Sequence, residues 1–93
     1  MTTPRVIHLV EALGVGGLER IVQSLVRHAG IMGVTTEIVC AVRGGAVADE
    51  IESSGTRVHV AGVTGYRPRD ILRTARLLKA LKPDVVHTHG HFA

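Results

Sequence analysis

The sequence predicts an α/β fold: a partial Rossmann-like parallel sheet of four strands in the order 3-2-1-4, with helices on both faces. Three observations lead there. Apolar runs of strand length alternate with segments of helical period, the rhythm of a parallel sheet joined by crossover helices. The first run, Val6-Ile7-His8-Leu9-Val10, is apolar on both parities apart from His8, as a strand covered on both faces requires. The third, Thr56-Arg57-Val58-His59-Val60-Ala61, alternates polar and apolar, which suits a sheet edge. Right-handed crossovers then give the order 3-2-1-4, with a reversal of direction across the sheet between strands 1 and 4.

Each element has its own warrant. Val6 to Val10 is the central strand, and His8 shares a face with Val6 and Val10, either satisfied within the core or touching a ligand. A glycine-rich turn, Leu13 to Arg20, joins it to a helix. There Leu18, Ile21, Val22, Leu25, Val26 and Ala29 recur at helical spacing opposite a polar face. Gly30 and Gly33 stop that helix, Thr35 to Val42 forms strand 2, and Gly44-Gly45 ends it. Ala46 to Ser54 is a short acidic helix closed by Gly55. The edge strand follows and leaves His59 at the surface. After a loop from Gly62 to Pro68, Arg69 to Lys82 is a third helix, with Ile71, Leu72, Ala75, Leu78 and Leu81 on its buried stripe. Arg69, Arg73, Arg76, Lys79 and Lys82 form a basic stripe beside it. Lys82-Pro83 stops the helix, Asp84 to His89 is strand 4, and Gly90 to Ala93 opens a further loop.

Composition narrows the classes. The 93 residues, 45% hydrophobic and 20% charged, make one globular unit. The net charge of +3 is mild, and Tyr66 and Phe92 are too few to build stacking platforms, so nucleic acid is not an expected partner. No apolar run approaches the ~18 residues of a membrane span, and the amino terminus passes into a strand rather than a signal-peptide core, so a cytoplasmic location is expected. Cys40, the lone cysteine, lies in an apolar run as a packing thiol.

The chemistry gathers where strands 1 and 4 end. The opening amides of the first helix have no intrahelical acceptor, and no Ser, Thr, Asp or Asn stands at the junction to cap them. Gly14, Gly16 and Gly17 let a ligand approach the backbone closely, and the helix dipole adds positive potential, so a phosphate or diphosphate is the natural guest. The reversal between strands 1 and 4 sets this loop opposite His87-Thr88-His89-Gly90-His91. His87 and His89 point to one face, with His91 beyond. The trio is open to three uses: a polar wall of a substrate cleft, structural histidines, or metal ligands. The first is expected, with no metal, because neither a tetrahedral ligand set nor second-shell partners can be read from the sequence. Their proximity disfavours simultaneous protonation.

Two motifs at this spacing, Gly14-Val15-Gly16-Gly17-Leu18-Glu19-Arg20 and Asp84-Val85-Val86-His87-Thr88-His89-Gly90, resemble the N-terminal domain of family 4 retaining glycosyltransferases of GT-B architecture. The likeness runs from Arg5 to Ala93. It implies that residues 1–93 are the N-terminal part of an acceptor-side domain whose remainder, with the donor-binding domain, lies outside this chain. It also implies transfer of a sugar from a nucleotide diphosphate sugar to an acceptor hydroxyl in glycan or cell-envelope biosynthesis, by the whole enzyme and not by this chain alone. On that view the amides at Gly14, Gly16 and Gly17 approach the donor diphosphate, and His87, His89 and His91 line the acceptor cleft. No cofactor is expected beyond the donor substrate. Expected partners are a glycan or lipid-linked acceptor, an anionic membrane surface met by helix 69–82 at the inner face, and a second copy meeting the exposed edge of strand 4.

Two other classes stay open on the sequence. A dinucleotide-binding oxidoreductase needs a third glycine where Glu19 stands, although Arg43 after strand 2 suits a 2′-phosphate. A noncatalytic α/β interaction module would bind no nucleotide.

Overall fold

The computed structural model describes residues 4–12, 17–63 and 67–89, with only the backbone over 17–19. Its elements are β1 (Arg5–Val10), α1 (Gly17–Ile31), β2 (Thr35–Cys40), α2 (Ala46–Ser53), β3 (Val58–Val60), α3 (Pro68–Leu81) and β4 (Val85–Thr88). All strand pairs are parallel and the sheet order is β3-β2-β1-β4, the order the alternation of the edge strand predicts. Strands 2, 3 and 4 are trimmed relative to the sequence limits: β2 stops at Cys40 rather than Val42, β3 covers 58–60 and β4 covers 85–88. The trimmed residues keep some ladder bonds, as Ala41 N–H donates to the Val10 carbonyl at 2.8 Å and Val42 N–H to the Glu11 carbonyl at 3.0 Å.

Side-chain parity on the central strands divides the core between two faces. On one, Val10, Ile38 and Cys40 meet Val22 and Val26 of α1 and Val47, Ala48 and Ile51 of α2. On the other, Ile7, Leu9 and Val39 are covered by Leu77, Leu78 and Leu81 of α3. Burying each of these aliphatic side chains is worth about 1.5–3 kcal/mol, and the helices therefore sit on both faces as predicted. Gly33, at φ 77°, supplies the left-handed turn between α1 and β2 that the glycine there predicts.

The buried stripes are narrower than the sequence suggests. In α1, Val22 and Val26 are buried while Ile21 is 56% and Leu25 39% exposed. At about 100° per residue, Ile21 and Leu25 lie on the flank opposite Gln23, which donates to Glu50 on α2. Packing against one neighbouring helix and the sheet thus leaves that flank bare among the described residues. In α3 the expected buried residues Ile71, Leu72 and Ala75 are exposed. The sheet-facing line runs through Asp70, Thr74, Leu77, Leu78 and Leu81 instead, because the helix is rotated to set its leucines over Ile7 and Leu9. The basic residues Arg69, Arg73, Arg76, Lys79 and Lys82 are exposed, as expected.

His59 is also a correction: it is half-buried rather than a surface residue. Glu37 is buried on β2, and His59, in register with Val39 on the same face, brings its Nε2 to 2.8 Å from Glu37 Oε1. The Arg5 guanidinium pairs with the other carboxylate oxygen. A carboxylate inside a central strand needs such partners to offset its desolvation.

Candidate functional site at the carboxyl end of β1 and β4

The site is built by pairing two strands that lie 81 residues apart at their contact. β1 and β4 are in register with His8 opposite His87 and Leu9 opposite Thr88. Beyond the ladder, His89 N–H donates to the Leu9 carbonyl at 3.0 Å. Period-two alternation then turns His8, His87 and His89 to one face, the face that carries α1 and α2. His8 Nδ1 and His89 Nε2 are 3.0 Å apart, one donating and the other accepting. The ring centroids of His87 and His89 are 4.0 Å apart, those of His8 and His89 5.2 Å, and those of His8 and His87 5.5 Å. His8 and His89 are buried, and His87 is exposed.

Burial governs the electrostatics here. Loss of solvent, then the neighbouring His89 and His87, lowers the pKa of His8 from 6.5 to about 4. His89 is lowered as well, by burial first and by His87 second. Both rings are neutral near pH 7, so they offer hydrogen bonds and nitrogen lone pairs rather than positive charge.

The sequence anticipates His87 and His89 as neighbours and the structure brings them together; His91, Gly14 and Gly16 lie outside the described residues. Gly17 is the first residue of α1. The chain leaving β1 stays at the sheet's carboxyl edge, since Glu11 accepts from Val42 and Arg43 N–H at 3.0 and 3.4 Å. The glycine segment therefore departs from the same end of the sheet as the histidines. His8 is the member that the sequence reading did not join to the cluster. Strand order and parity both pointed to it, but the register between β1 and β4 was needed to set it opposite His87.

Other polar groups have local partners. Arg20, within the glycine-led motif, donates to Glu50 Oε2 at 2.9 Å and to Gln23 Oε1 at 2.8 Å, so it ties α1 to α2. Gln23 and Arg20 hold the exposed Glu50 carboxyl below its ordinary range. Cys40 is buried and its pKa is pushed up to about 11 by that burial, which makes it an unreactive thiol. A pocket of about 340 Å³ opens between the end of β3 and the first turn of α3, lined by Gly62, Arg69, Asp70 and Arg73. Asp70 there accepts from the Arg67 backbone N–H at 3.3 Å, a carboxylate at a helix amino end.

Among the described residues, no helix is long and apolar enough to cross a membrane. A family model described as Glycosyltransferase Family 4 matches residues 15–93, from the glycine segment through the histidine strand. No curated protein and no solved structure matches the chain.

Proposed function

The chain belongs to glycosyltransferase family 4, and from that premise we propose that it forms the N-terminal, acceptor-side part of a retaining GT-B enzyme that moves a sugar from a nucleotide diphosphate sugar to an acceptor hydroxyl. The observation that carries this reading is the family match over most of the chain, which includes both segments gathered at the carboxyl end of the sheet. The same match favours sugar transfer over the nicotinamide-dependent alternative.

Each segment has a task in the proposed reaction. As the bond between the sugar and the diphosphate breaks, negative charge grows on the leaving group. Backbone amides around Gly14, Gly16 and Gly17, helped by the dipole of α1, stabilise that charge as oxyanion-hole donors do. Amides meet this need without a resident cofactor. On the acceptor side, His87, His89 and His91 form the polar wall. Neutral His89 accepts or donates a hydrogen bond to a hydroxyl without competing for the diphosphate as a cation would.

The acceptor is a glycan or a lipid-linked glycan of the cell envelope, handled in the cytoplasm at the inner membrane face. The exposed basic stripe of α3 supports contact with anionic lipid there. The diphosphate assignment is tested in the enzyme that contains this chain by Gly16→Val and Gly17→Val. Each is expected to lower kcat about 100-fold, the usual cost of an oxyanion-hole donor, with KM for the acceptor little changed. Wild-type kcat in both variants contradicts the assignment.

A further inference from the structure

The geometry points to a binding site for a divalent transition-metal ion of the Zn2+ or Co2+ class, held by His8, His87 and His89. The inference stands apart from the sugar-transfer reading, because it needs only three imidazoles and no substrate.

Three ligand nitrogens, one from each ring, all lie within 4.8 Å of one another. Two of them, His8 Nδ1 and His89 Nε2, are already 3.0 Å apart. Around a tetrahedral ion with bonds of about 2.0–2.1 Å, adjacent ligand nitrogens stand about 3.3 Å apart, so this pair sits at ligand spacing. The third ring belongs to exposed His87, whose side chain can turn to bring its nitrogen inward.

The backbone beneath the rings is fixed. His8 lies on a central strand paired on both sides, in register with Ile38 and His87. His89 is held to Leu9 by its N–H. Such strand-borne ligands are positioned before the ion arrives, which lowers the ordering cost of binding. The donor set also selects the ion. Three neutral imidazoles with no described carboxylate among the ligands suit zinc, cobalt or nickel and not magnesium or calcium. Three protein ligands leave a fourth position open to water or another small ligand.

The test uses the untagged full chain, stripped with a chelator and titrated with Co2+, whose visible spectrum reports coordination. The expected result is one Co2+ per chain with the intense bands of a four- or five-coordinate ion, displaced by Zn2+. His87→Ala, at an exposed position, should keep the circular-dichroism melt of the parent and weaken Co2+ binding at least about tenfold. His89→Ala should do the same, while His28→Ala, on exposed α1, should bind as the parent does. Only weak octahedral bands, or parent-like affinity in His87→Ala, would overturn the site.

Discussion

His8 makes stability depend on pH in a definite direction. Its pKa is 6.5 when exposed and about 4 in the fold, so between those values the unfolded chain binds more protons than the folded one. Stability is complete above about pH 6.5 and falls as the pH drops towards 4, and lowered His89 adds in the same sense. Urea midpoints measured from pH 7.5 to 4.5 should decline across this window, and His8→Gln should flatten the decline. An unchanged slope in that variant would remove His8 as its source. Glu37 poses the complementary case, a buried carboxylate with two cationic or proton-donating partners. Glu37→Ala strands Arg5 and His59 and is expected to cost about 3 kcal/mol in equilibrium unfolding. A cost below about 1 kcal/mol would mean that solvent replaces the carboxylate. Neither histidine environment was legible in the sequence, where His8 read as a residue with two open uses and His59 as an exposed one. Both depend on cross-strand register, which side-chain alternation within one strand does not specify.

Periodicity located the helices and parity located the strands, while burial depended on how many neighbours each helix has. α1 packs on the sheet and on α2, and so buries Val22 and Val26 but not Ile21 and Leu25. In α3 the apolar positions outnumber those that the sheet can cover. Substitution should separate the two kinds of position: Ile38→Ala, at 0% exposure, is expected to cost about 2–5 kcal/mol, and Ile71→Ala, at 60% exposure, less than about 0.5 kcal/mol. Comparable losses at both sites would place Ile71 in the core after all. The exposed charges of α3 lead to a different measurement. Co-sedimentation of the chain with anionic vesicles should occur at low salt and fade as salt rises, as screening requires, whereas neutral vesicles should leave it in solution. Absence of binding at low salt counts against the membrane contact.

Across the molecule, the carboxyl end of the sheet gathers the chemistry and the β4 side leaves the fold open. Every residue of β4 is exposed, and Val85 and Val86 are 54% and 40% exposed apolar side chains on a strand with no outer neighbour among the described residues. A free edge of this kind pairs with another strand, so the 93-residue chain is expected to self-associate in sedimentation velocity as concentration rises. A strictly monomeric species throughout would show that the edge is protected. The sheet order was legible because one strand alternates and another is apolar on both faces. The family likeness was legible because two motifs stand at the ends of neighbouring strands. Transfer of labelled sugar, run side by side on the isolated chain and on the enzyme that includes the donor-side domain, tests the account most directly. The account predicts product from the enzyme alone, with the anomeric configuration of the donor retained. Product from the isolated chain, or none from the enzyme with any nucleotide diphosphate sugar, would contradict it.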